Sequence, residues 1–214
     1  MTTVRPLVPP DLLREVLGER AAGLEEMVTA VADDPQHVGR VFPAAARRTA
    51  RGRVPGHEVQ VEDAVRVELV AAAAAAGLTS DQLLEELRAL YRFGDSDEKR
   101  AVLEALNSVD DPAVDGSDLL LDALRSNDTR LVGAAMGAHA ARLPDEAWRH
   151  GVLKCLFTGV PIDRVAGLRV RADRELAAMA GRFAREREAA GRDVPADVKA
   201  VIAACPPVPT THEA

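Results

Sequence analysis

Between Asp11 and Asp33 the apolar residues Leu12, Leu13, Val16, Leu17, Leu24, Met27 and Val31 recur at intervals of three and four, the period of a helix with one buried face. Gly18 and Gly23 are where such a pattern breaks, so one or two helices are predicted there. A segment rich in Ala and Arg, punctuated by Pro35 and Pro43, then leads to a loop marked by Gly52, Pro55 and Gly56. Past that loop each helix carries its own start signal. Glu62 to Ala76 ends at Gly77, and the apolar stretch Val65 to Leu78 reads as a buried helix although it contains Arg66 and Glu68. Thr79 and Gln82 form a capping box ahead of Leu83, Leu84, Leu87, Leu90 and Tyr91, with Gly94 as the stop. Asp95 and Glu98 repeat the box before Val102, Leu103 and Leu106. Ser117 reads as the cap of Leu119 to Leu124, and Asp128 as the cap of Leu131 to Leu143. Pro144 opens a helix with Trp148, Val152, Cys155 and Leu156 on one face. After Gly159 and Pro161, one long Arg- and Glu-rich helix is predicted from about Ile162 to Ala190, and a last short one after Pro195.

No stretch alternates apolar and polar residues as a half-buried strand would, so the fold class is all-α. Short links between successive helices imply antiparallel neighbours. Paired at about 30 to 35 residues, the helices resemble a HEAT-like α-solenoid of stacked hairpins, without a literal sequence repeat. One domain over residues 1–204 is expected, with its only internal boundary signal near 52–61 and a flexible tail over 205–214.

Composition narrows the possibilities. Of 214 residues, 47% are hydrophobic and 29% charged, too apolar for a disordered chain. Aromatics are only 3%, so the core must be Leu, Val and Ala. A net charge of −7 counts against a nucleic-acid partner, whose phosphates demand a basic surface. Cys155 and Cys205 are too few for a disulfide framework and lack zinc-ligand spacing. The start of the chain shows no export signal, and Val65 to Leu78 is too short to span a bilayer. A cytoplasmic protein without membrane insertion is expected.

Candidate chemistry is sparse. Asp110-Asp111-Pro112-Ala113-Val114-Asp115 looks like a diphosphate-binding aspartate cluster, but Pro112 and Gly116 place it in a loop, where aspartates form turns. Asn127 or Asp128 caps the following helix, whose N-terminus, flanked by Arg125 and Arg130, would suit an anion. Lys154 and Cys155 stand in an apolar stretch as a conceivable amine or thiolate, although Cys155 shares the face of Trp148 and should pack as a small hydrophobe. Glu62 and Arg66 are spaced as an i,i+4 ion pair. His139, His150 and His57 lack partners at metal-ligand spacing, so no metal is inferred, and no nucleotide, hydrolase or dinucleotide motif appears, so neither a catalytic residue nor a cofactor is assigned. Between Pro35 and His57 there is no acidic residue, while Arg40, Arg47, Arg48, Arg51 and Arg53 are present. Arg47, Arg48 and Arg51 are expected on one side of a short helix, as a basic face for a phosphate or an acidic partner.

Leu90-Tyr91-Arg92-Phe93-Gly94 with Asp97-Glu98-Lys99-Arg100-Ala101-Val102-Leu103, then Arg125 to Arg130, then Trp148 to Pro161, resemble the EboA family in order and distance, from about Phe42 to Ala190. None of these segments is a catalytic signature. The resemblance implies a place in a bacterial gene cluster for specialised metabolism, whose other products resemble a membrane prenyltransferase and enzymes of sugar and phosphate chemistry. It further implies a role in moving precursors, with other ebo-cluster proteins or a phosphorylated small molecule as partner. Arg92, Asn127, Asp128, Arg130 and Lys154 are the polar motif positions carried over as ligand-binding candidates. The expected function is a non-enzymatic scaffold or binding protein. The alternative is an enzyme without a familiar motif that acts on a prenyl or sugar phosphate through Lys154, the Asn127 to Arg130 segment and nearby arginines.

Overall fold

The computed structural model describes residues 2–205. Among them the chain is helical, with isolated bridges Val4–Val109 and Arg53–Gln60 in place of any strand. The helices are α1 (Pro10–Leu17), α2 (Ala21–Asp33), α3 (Val38–Val41), α4 (Ala45–Arg48), α5 (Val61–Ala75), α6 (Ser80–Phe93), α7 (Ser96–Ser108), α8 (Ser117–Arg125), α9 (Thr129–Ala135), α10 (Asp145–Thr158), α11 (Leu168–Arg171), α12 (Arg174–Ala189) and α13 (Ala196–Ala204), with 3-10 turns between several of them. They group into two compact units, one running to Leu120 and the other starting at Leu121, so the division falls inside α8. The loop at 52–61 lies within the first unit. Most of the tail expected at the C-terminus, residues 206–214, falls outside the described residues, while Cys205 is buried at the end of α13.

In the first unit α5 is the central helix, in contact with α1, α2, α3, α4 and α7. Its Val61, Val65, Val67, Leu69, Val70, Ala73 and Ala74 are all buried, and so are its Glu62, Asp63 and Arg66, so it is enclosed on nearly every side by other elements. Gly18, at φ 54°, ends α1. Gly23 does not break a helix: it sits inside α2, and a Cβ there would lie 2.5 Å from the carbonyl oxygen of Arg48. The missing side chain lets α2 approach α4. The capping boxes at Thr79/Gln82 and Asp95/Glu98 are both formed. Gly94 and Asp95 are the whole link between α6 and α7, and a Cβ at Gly94 would meet the Leu90 carbonyl oxygen at 2.6 Å.

In the second unit α10 packs on α9 and α12, and α12 on α13. Trp148, Val152, Cys155 and Leu156 are buried together along α10. The long helix expected over 162–190 is instead three pieces: a 3-10 turn at Ile162–Arg164, then α11, then α12. Gly167 turns the chain at φ 76°, and the Asp173 carboxylate restarts the helix by accepting from the Leu176 amide. Arg171 exploits the break. Its guanidinium lies over the Trp148 ring at 4.8 Å and donates to the Ala140 and Leu143 carbonyls and to Asp145, tying the start of α10 to the preceding turn. The helix expected over 131–143 likewise ends at Ala135 and gives way to a 3-10 turn, Ala138–Arg142. At the start of α8, Ser117 is the first helical residue, and its amide and hydroxyl donate to Asp115, which thus holds the helix start in place of the expected serine cap.

Candidate functional site

Asp128 occupies the N-cap of α9, accepting from the Arg130 amide at 3.0 Å. The same carboxylate receives Arg130 Nε at 3.0 Å and Nη2 at 2.7 Å. These Arg130 bonds hold the Asp128 carboxyl below its usual range. The expected anion position at this helix start is thus filled by the chain's own carboxylate, and Arg130 is neutralised by it.

Asn127 is differently used. Its amide oxygen accepts a hydrogen bond of 2.8 Å from the Lys154 ammonium, which comes from α10. Lys154 has no ion-pair partner among the described residues, whereas Arg130, Arg149, Arg171 and Arg182, also in the second unit, are each paired with an acid. A lysine has three donor hydrogens, and Asn127 takes one. Three residues on, Phe157 is 72% exposed, while the opposite face of α10 is buried. The result is an oriented, unneutralised cation one helical turn from an exposed aromatic ring.

The neighbouring Cys155 is fully buried, and desolvation pushes its thiol up to about 12, so it is a packed thiol at neutral pH. His139 is also buried. The aspartates of the 110–115 loop make turns and ties. Asp110 pairs with Arg5 at 3.2 Å. Asp111 accepts from the Thr2 and Ser80 hydroxyls, each at 2.6 Å, and from the Ala113 amide at 2.9 Å.

In the first unit, Arg92 lies in the last turn of α6 with its guanidinium 5.5 Å from the centre of the Phe93 ring, and Phe93 is 82% exposed. The basic face takes another form than expected. Helix α4 ends at Arg48, so Arg51 belongs to the following loop. Arg48 pairs with Glu26 on α2, and Arg51 with Asp97 on α7 at 3.2 Å. Arg47 is exposed and has no acidic partner among the described residues. Beneath this surface lies a buried ionic network. Arg100 donates to both oxygens of Asp63 and to Asp97, and approaches Glu62 at 3.7 Å. Arg66, 1% exposed, donates to the Phe42 carbonyl and reaches Glu98 at 3.7 Å. The expected Glu62–Arg66 pair is replaced by these links to α7 and the loop, because both side chains turn inward.

The structure therefore joins Asn127 to Lys154 and Asp128 to Arg130, and places Arg92 in the first unit beside Phe93. Residues 42–203 match the family described as metabolite traffic protein EboA. The chain belongs to the EboA family. No curated protein and no solved structure matches it significantly. The EboA match extends past Ala190 through most of α13, and contains Arg92, Asn127, Asp128, Arg130, Lys154, Arg47, Arg48 and Arg51. Sequence spacing gave no sign of the Asn127–Lys154 bond. The exposed Phe157 had one: within WRHGVLKCLFTGVP it falls off the face defined by Trp148, Val152 and Cys155. Among the described residues no group of three His, Cys, Asp or Glu side chains is arranged to hold a metal ion, and no helix is long and apolar enough to cross a membrane.

Proposed function

We propose that this EboA member is a non-catalytic binding protein for metabolite traffic, and that Lys154, oriented by Asn127, receives the anionic end of a phosphorylated small molecule whose apolar body lies on Phe157. The observation that carries the reading is the Lys154 ammonium held at 2.8 Å by a neutral amide, with no acid against it. A cation presented this way retains its charge for a ligand, whereas one paired with a carboxylate must first exchange partners. The family description, metabolite traffic protein, supports handling of a small molecule. Arg92, Asn127, Asp128 and Arg130 enter the proposal as residues that shape or flank binding surfaces, and other ebo-cluster proteins as the donors and acceptors of the cargo. Successive short-linked helices such as α6 and α7 support the stacked-hairpin reading of the fold, and a cytoplasmic setting completes it.

The test is calorimetric titration of the full chain with inorganic pyrophosphate and with dimethylallyl diphosphate, followed by product analysis. Binding of the prenyl compound without turnover, roughly tenfold weaker in Lys154→Met, is the expected outcome. Phe157→Ala should weaken the prenyl diphosphate and spare pyrophosphate. Unchanged affinity in Lys154→Met would overturn the site, and turnover of the diphosphate would establish the enzyme alternative.

A further inference from the structure

In the first unit α3 meets α6. A cleft of about 140 Å³ opens there, with Pro43, Ala89, Leu90 and Phe93 as its apolar walls and Glu86 and Glu98 as its polar groups. The two carboxylates are not equivalent. Glu98 accepts from the Asp95 amide at 3.1 Å and has Arg66 at 3.7 Å, so its charge is answered from within the protein. Glu86 has no hydrogen-bond or ion-pair partner among the described residues. One of its oxygens lies 3.6 Å from where a Cβ on Gly39 would stand, so the absent side chain of α3 leaves that oxygen uncovered toward the cleft. Partial burial, with Glu85 adding to it, pushes the Glu86 carboxyl above its usual range. A carboxylate drawn partly out of water without a partner is costly, and the cost is relieved by a cation placed against it.

The walls define the rest of the occupant. Phe93 presents a ring whose face attracts positive charge, already shown by Arg92 above it. Leu90, Ala89 and Pro43 offer an apolar path away from Glu86. An anion would meet the unpartnered Glu86 carboxylate, and a neutral alcohol would leave its charge unanswered. We propose that the cleft between α3 and α6 binds a small alkylammonium ligand, its ammonium donating to Glu86 and its short alkyl chain lying against Leu90, Pro43 and the Phe93 ring. The site shares no residue with Lys154 and Phe157, so the two readings stand or fall independently.

An NMR titration of the 15N-labelled full chain tests it, with n-butylammonium, n-butanol and butyrate as probes. Butylammonium should produce saturable shifts in the Ala89 to Gly94 amides, with affinity about tenfold above that of butanol and no such response to butyrate. Glu86→Gln, which keeps the side-chain shape, should lower butylammonium affinity roughly tenfold, while Glu85→Gln leaves it unchanged. Phe93→Ala should weaken both butylammonium and butanol. Equal affinity for butanol, full affinity in Glu86→Gln, an equal loss in Glu85→Gln, or no saturable shift would each overturn the proposal.

Discussion

Arg100 grips Asp63 with two hydrogen bonds, Nε to one carboxylate oxygen at 2.6 Å and Nη2 to the other at 3.0 Å, with both side chains buried between α5 and α7. Desolvation pushes the Asp63 carboxyl up while Arg100 pulls it down, and desolvation is the larger effect. A pair in this setting adds little net stability over an apolar pair, but losing one partner strands a charge. Arg100→Met should therefore destabilise the protein by about 3–5 kcal/mol. Adding Asp63→Leu to Arg100→Met should recover part of that loss, the remainder reflecting Glu62 and Asp97, which still lack Arg100. Urea denaturation of the single and double variants checks both statements.

Asp111 should shape the acid limb of stability. Hydroxyls from Ser80 and Thr2 hold its carboxyl at about 2, below the unfolded value, so its contribution is present above the ordinary carboxylate pKa and lost as pH falls through the folded one. The relevant window is from about pH 4 down to about pH 2. Melting temperatures measured across it should fall more steeply for the wild type than for Asp111→Asn, and the two curves should converge at the acid end.

Cys155 should be inert in the native protein. It is fully buried with a strongly raised thiol pKa, and burial likewise raises that of Cys205. Labelling with a thiol-disulfide reagent at neutral pH, followed by peptide mapping, should show modification of Cys155 only at the rate at which the protein opens.

Gly23→Ala should destabilise the protein even though alanine is the better helix former by about 1 kcal/mol. Its Cβ would stand 2.5 Å from a backbone oxygen of Arg48, which cannot rotate away as a side chain would. Separating α2 from α4 should cost about 1–3 kcal/mol net, read as a lowered melting temperature. Gly23→Ser should behave in the same way.

Much of the fold was legible because its signals are local. Thr79 with Gln82, and Asp95 with Glu98, complete their boxes within four residues, and the buried face of α10 follows from spacing alone. The segment 162–190 misleads because Arg, Glu and Ala favour a helix at nearly every position, whereas the decisive residues are Gly167 and Asp173. Asp173 is diverted to capping α12 and to Arg149, which it meets at 2.5 Å. Glu62 and Arg66 have the spacing of a surface pair, and only the enclosure of α5 sends them to Gly52, Arg100, Glu98 and Phe42. The candidate site was legible as residue types and not as contacts. Asn127 and Lys154 are 27 positions apart, with α9, a 3-10 turn and the first part of α10 between them, and Glu86, next to Glu85 on an amphipathic helix, looks like any solvated acid until α3 packs against α6 beside it.

The ionic network around α5 sets how the protein responds to dissolved salt. Counterions screen charges that water reaches, over about 8–10 Å at physiological strength, so surface pairs such as Arg88–Asp118 and Arg182–Glu175 fade as salt is added. Arg66, Arg100, Glu62 and Asp63 are buried, and salt screens their mutual attraction much less. The alignment of α5 on α7 is thus keyed by charges largely withdrawn from the solution, and added salt should loosen the exterior pairs well before it reaches this one.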